Sequence, residues 1–132
     1  NIEIIGNFAS KISVYKKVRE HLTDYLKRLV KNTPRIIMEG RDIGTVVAPE
    51  ADLKIFISAD VQVRAMRRYK QLRLEGKDCM LSDILDLLKE RDARDSDRDV
   101  APLRAASDAL VIDTSNLSPE EIIQNIKNFV GK

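Results

Sequence analysis

The sequence predicts an α/β domain built on a parallel sheet, and three observations carry that expectation. Three short apolar runs rich in β-branched residues, Arg35–Met38, Leu53–Ile57 and Ala109–Asp113, read as buried strands. Stretches with apolar residues at helical spacing stand before, between and after them. At 132 residues and 43% apolar content, the chain has enough material for one core. Strands that alternate with helices pair in parallel through crossover connections.

Each element has its own local reason. Asn1 to Gly6 is a lead-in, after which Ser10 or Ser13 is placed to cap a helix. Val14, Val18, Leu22, Leu26, Leu29 and Val30 recur along it, and Asn32 and Pro34 stop it near Lys31. The lone His21 reads as a solvated helix residue. The first strand, Arg35–Met38, breaks off into the charged cluster Glu39-Gly40-Arg41-Asp42. Gly40 would let the chain turn there, and Gly44 would release it. Pro49 to Asp52 is a loop before the second strand. Asp60 then caps a helix carrying Val63, Met66, Tyr69, Leu72 and Leu74, ended by Gly76. Leu81, Ile84, Leu85 and Leu88 open a further helix with Ser82 or a neighbour as cap. It continues through the charged run Lys89–Asp99 and ends at Pro102. The third strand is followed by Ser118-Pro119-Glu120-Glu121, a cap, a first-turn proline and two acids at the positive end of a helix dipole.

Charge excludes some functions and suggests others. A net charge of +2 is too small to announce nucleic acid or an anionic membrane as partner. Three Tyr, three Phe and no Trp leave few platforms for stacking bases, which weighs against an RNA-binding module. Cys79 is the single cysteine, so no internal disulfide can form, which suits a reducing cytoplasmic setting. No apolar run approaches the length of a membrane span. The arginines, however, crowd: Arg64, Arg67, Arg68, Arg73, Arg91, Arg94, Arg98 and Arg104 fall in one third of the chain. Guanidinium forks grip phosphate oxygens in pairs, and a local need for them would explain the crowding.

Two stretches are candidate sites. Arg41 and Asp42 sit just past a strand's carboxyl end, where open α/β sheets bind ligands. Such a pair can serve an anionic group and an amino group of one ligand. A solvated ion pair on a surface turn is the plainer alternative, and the stretch alone slightly favours it. Farther on, Arg91, Asp95 and Arg98 share one helix face at i, i+4 and i+7. Two arginines around a carboxylate suit a phosphate and a sugar hydroxyl, although spacing alone favours an exposed face laced with ion pairs. Arg19 either is a surface cation or reaches toward the strand ends; the pattern leaves both open. Arg94 falls off the Arg91–Asp95–Arg98 face.

These residues also carry a family resemblance. Glu39-Gly40-Arg41-Asp42-Ile43-Gly44-Thr45-Val46-Val47, Asp52 to Ile57, Arg67 to Leu72, Glu90 to Arg98, Val100 to Leu103 and Ser107 to Asp113 resemble bacterial cytidylate kinases, as do Asn7 to Ser10 and Val18-Arg19-Glu20. The resemblance implies a partial P-loop nucleoside monophosphate kinase fold, with three parallel strands present. It implies acceptor-binding helices over residues 1–33, a core over 34–75 and 105–132, and a lid over about 76–104. It implies that Ser10, Arg19 and Asp42 read the cytosine ring and that Arg41 and Arg98 hold the monophosphate. Asp95, helped by Arg91, would take the ribose, and Arg67 would lie near the donor adenine. The reaction implied is transfer of the γ-phosphoryl of ATP to CMP or dCMP with Mg2+, a chemistry of positioning and charge stabilisation that suits a site of arginines. Cytoplasmic location and a monomeric intact enzyme follow from the same likeness.

One feature departs from that pattern. The only glycines are Gly6, Gly40, Gly44, Gly76 and Gly131, and none begins a Gly-x-x-x-x-Gly-Lys-Ser/Thr loop. Such a loop supplies the nest of amides, the lysine and the magnesium-binding hydroxyl that hold ATP. The sequence is therefore expected to be the acceptor and lid portion of a longer kinase, inactive alone and open to self-association through uncovered strand edges. A nucleotide-binding module without catalysis is the alternative. Asp42 is the feature that sets a cytidylate acceptor apart from uridylate or adenylate.

Overall fold

The computed structural model describes residues 6, 8–9, 11–13, 15–97 and 102–131. The chain forms two compact units, one from Asn1–Asp52 with Ala93–Ala106, the other from Leu53–Asp92 with Ser107–Lys132.

In the first unit, helix α1 spans Lys16–Asn32. Its amino end is set at Tyr15 with no side-chain cap, so Ser13 does not cap it as expected, and Ser10 lies outside the described residues. Lys31 in the last turn complements the dipole, and the helix closes at Thr33, just before Pro34. The helix packs against a single π-helical turn, Ile43–Val47. That turn hangs from one carbonyl: Asp42 O accepts from Val46 N (2.9 Å) and Val47 N (3.3 Å), with Thr45 Oγ1 at 3.4 Å. Val47, the last residue of the turn, is buried. Isolated π turns commonly mark functional positions.

The expected strand at Arg35–Met38 does not form; two strands are found among the described residues, both in the second unit. Among the described residues the segment has no strand partner, and Ile37 is fully exposed at 101%. A strand exists through its ladder partner, and an apolar β-branched run without one satisfies the sequence pattern and nothing more. The chain does bend at Gly40, as expected, although not through a left-handed conformation. Its φ is not positive, and a Cβ there would stand 2.8 Å from the Ile43 side chain, so glycine serves close approach to the π turn.

The second unit holds strand β1 (Ile55–Ser58), helix α2 (Val61–Leu74), most of helix α3 (Leu81–Asp97), strand β2 (Leu110–Asp113) and helix α4 (Pro119–Val130). The strands pair in parallel, Ile55 with Leu110, Phe56 with Val111, Ile57 with Ile112 and Ser58 with Asp113. Asp60 caps α2 as expected, accepting from Gln62 N and Val63 N. Gly76, at φ 73°, takes the left-handed conformation that lets the chain leave α2. The apolar stripes then meet: Ala65 and Leu72 of α2 and Ile84 of α3 are buried, with Tyr69, Cys79, Leu81, Leu85 and Leu88 packed around them. Ser118 and Glu121 form a reciprocal capping box on α4 with Pro119 in its first turn, as its sequence signals.

Candidate functional site

The first unit gathers two acid–arginine pairs. Arg19, one turn into α1, reaches Asp42, the residue that opens the π turn. The two side chains are only 10% and 13% exposed, and the other Arg19 arm donates to Ser13 O at 3.4 Å. The Asp42 carbonyl is already occupied by the π turn, so its backbone is pinned and its carboxylate has a set direction. Next to it in sequence, Arg41 places Nε 3.1 Å from Asp95 Oδ2. Asp95 is 4% exposed, while about a third of the Arg41 side chain (35%) faces solvent. The chain after α3 folds back on this point, Leu103 N donating to Asp95 O at 2.8 Å.

Burial decides between the two readings of these residues. A surface ion pair is solvated and contributes little, whereas a carboxylate taken out of water requires a charged partner. Asp95 and Asp42 are of the second kind, so the solvated-face alternative fails at both. Arg94 is not a solvated bystander either: it is half-buried, with its Nε inside. Four of the expected residues, Arg19, Arg41, Asp42 and Asp95, thus come together in pairs, with two cations and two anions that together can take a ligand's phosphate, hydroxyl and base edge. Arg98 and Ser10 lie outside the described residues.

In the second unit, Arg67 of α2 donates from Nη1 to Thr114 Oγ1 (3.1 Å) and from Nη2 to Thr114 O (2.5 Å). Thr114 is buried just past β2 and bonds back to Ser58 O at the end of β1, through both N–H and hydroxyl. Arg67 therefore lies at the carboxyl ends of both strands, the edge where such sheets bind ligands. Beside it, Asp113 Oδ1 accepts from the Ser115 hydroxyl (2.6 Å) and N–H (2.8 Å), which holds its carboxyl below the ordinary aspartate range. Arg91 is exposed on α3. Sequence reasoning missed Thr114 and the Arg64–Asp92 pair of this unit. Asp92 had a signal, since it follows Leu81, Leu85 and Leu88 on one helix face.

Comparison with known proteins settles the family. The cytidylate kinase family model matches residues 1–132. The chain belongs to that family. Cytidylate kinases of Rickettsia rickettsii and Rickettsia felis are 59% identical to it over 128 residues, 97% of this chain and 58% of theirs. That of Rickettsia canadensis is 59% identical over the same length, with 59% of its own chain covered. The chain thus spans a little under three fifths of the curated relatives it matches. Its class is the α/β P-loop nucleoside monophosphate kinase fold, here with a parallel two-stranded sheet and flanking helices. Within this cytidylate kinase family member no helix is long and apolar enough to cross a membrane, among the described residues. No three His, Cys, Asp or Glu side chains gather as a metal set among them either.

Proposed function

We propose that this chain carries the acceptor half of a kinase that phosphorylates CMP or dCMP, with ATP as donor. The observation that carries the reading is the buried Arg19–Asp42 pair on the pinned π turn. Cytosine presents an exocyclic amino group to the carboxylate, and its ring N3 and O2 accept from donors such as Arg19 and Ser10. Uracil presents an oxygen where cytosine presents that amino group, and a carboxylate repels it. Arg41 and Arg98 grip the acceptor phosphate, Asp95 with Arg91 takes the ribose, and Arg67 borders the donor adenine. The segment of about 76–104 closes over the nucleotides. Magnesium, when bound, neutralises the donor phosphates. The setting is a reducing cytoplasm, as the single Cys79 suits.

The test is substitution at the base. Asp42→Asn exchanges a pure acceptor for a group that can turn its amide toward uracil. The preference for CMP over UMP, read as binding to the chain and as kcat/KM in a longer form carrying the donor loop, should fall at least tenfold, ~1.4 kcal/mol. An unchanged ratio with both affinities lowered together would mean that Asp42 only supports the turn.

A second reading, a nucleotide-binding module without catalysis, is favoured for the 132 residues alone by one observation: they contain no Gly-x-x-x-x-Gly-Lys-Ser/Thr loop. In a coupled assay the chain should bind CMP and not turn it over. Turnover at ~1–100 per second, the range of ordinary kinases, would contradict this.

A further inference from the structure

Arg64, at the start of α2, has its guanidinium committed on every side. Its Nε donates to Ala59 O (3.0 Å), Nη1 to Asp92 Oδ1 (3.2 Å) and Nη2 to Asp92 Oδ2 (2.5 Å). A fork filled this way grips no phosphate. The pair instead continues a seam. Leu81, Ile84, Leu85 and Leu88 of α3 pack with Ala65, Tyr69 and Leu72 of α2, and the apolar contacts end at Leu88. Asp92 lies one turn farther on the same face, opposite Arg64 at the start of α2. Ala59, which Arg64 also holds, follows β1 directly. The ion pair therefore ties the last apolar turn of α3 to the carboxyl end of a strand.

We infer that Arg64 is a positioning residue: through Asp92 it fixes the height and rotation of α3 where Arg91 leaves it. Arg91 is adjacent to Asp92, so its backbone has the orientation that the bidentate pair imposes. A bidentate fork constrains both quantities, while a point charge constrains neither. The consequence for the nucleotide rests on the reading of Arg91 given above; the tie itself does not.

The experiment compares Arg64→Lys and Asp92→Asn, both conservative in size, with Arg73→Lys at the exposed Arg73–Asp78 pair of the same helix. Hydrogen exchange on the full chain should speed up by about tenfold at the amides of residues 91–97 in the two latch variants, and stay unchanged there in Arg73→Lys. Calorimetry should show a loss of about tenfold for CMP and for cytidine, both of which carry the ribose that Arg91 helps to hold, and under twofold for cytosine. Wild-type exchange over 91–97 in Arg64→Lys would overturn the latch. Exchange that rises as expected, with CMP and cytosine weakened equally or not at all, would overturn the positioning role. A wild-type chain that fails to bind CMP would overturn the reading of the acceptor site, and exchange would still decide the latch.

Discussion

Exchanging Arg19 for Met removes the only cation bonded to Asp42 among the described contacts while keeping most of the side-chain volume. Both side chains are close to nine-tenths buried, at 10% and 13% exposure, so solvent can do little for the carboxylate left behind. Breaking one side of a buried pair costs ~3–5 kcal/mol, and with a tenth of each group still wet the lower end applies, about 3 kcal/mol. Asp42→Asn keeps one acceptor for Arg19 and should cost about 1–2 kcal/mol. The double variant has no unpaired charge, so its cost should fall about 2 kcal/mol short of the sum of the singles. Urea unfolding followed by circular dichroism measures all four species, and the larger single effect should lower Tm by roughly 10 °C. Lys16→Met, at the exposed Lys16–Glu20 pair, is the control and should stay within ~0.5 kcal/mol. An Arg19→Met cost no larger than the control's, or strictly additive costs, would show that burial at this pair does not exclude water, and the base-reading geometry would lose its support.

Further outcomes can be checked independently. Ser115→Ala removes the hydroxyl, the larger of the causes that depress the Asp113 carboxyl, so its titration by NMR should move up toward the ordinary ~3.9. Because the folded value is depressed, the Asp113 contribution to stability is present above the ordinary value and lost as pH falls through the folded one; Ser115→Ala should shrink that acid-side loss. Leu72→Ala empties a site that is 1% exposed at the α2–α3 seam and should cost ~2–5 kcal/mol by urea unfolding. With Ile57 and Val111 of the sheet both more than half exposed, light scattering should find the chain associating as its concentration rises, and a strictly monomeric chain at high concentration would refute this.

The sequence was most legible where a local rule and the tertiary outcome coincide. Asp60 and Ser118 cap because the donors they serve are their own neighbours, so no knowledge of the rest of the chain is needed. The strands at residues 55–58 and 110–113 were legible because each has the other as partner. Arg35–Met38 has the same apolar pattern and no partner among the described residues, and pairing is not written in a run of four residues. At the candidate site, the sequence named the residues but not the partners they take. Spacing placed Arg91, Asp95 and Arg98 on one face but could not show that Asp95 is withdrawn from water or that Arg41 meets it. Those facts depend on residues far apart in sequence.

The arginine-rich third of the chain divides by supply of acceptors. A guanidinium carries five N–H groups, and its use depends on how many the protein itself consumes. Arg64 meets a carboxylate and a carbonyl on three nitrogens, so its work is mechanical. Arg67 turns both terminal nitrogens onto Thr114, which fixes the plane of its fork. In the first unit, Arg41 meets Asp95 through Nε and keeps a third of its side chain in solvent. Composition cannot sort these residues, since all are arginines amid a similar density of acids. Position along α3 does: Asp92 continues the face of Leu81, Leu85 and Leu88 and meets Arg64, while Asp95, three residues on, meets Arg41. A one-residue insertion within 89–95 would rotate Asp92 and Asp95 away from Arg64 and Arg41 together, so it should be more damaging than any single substitution in the segment.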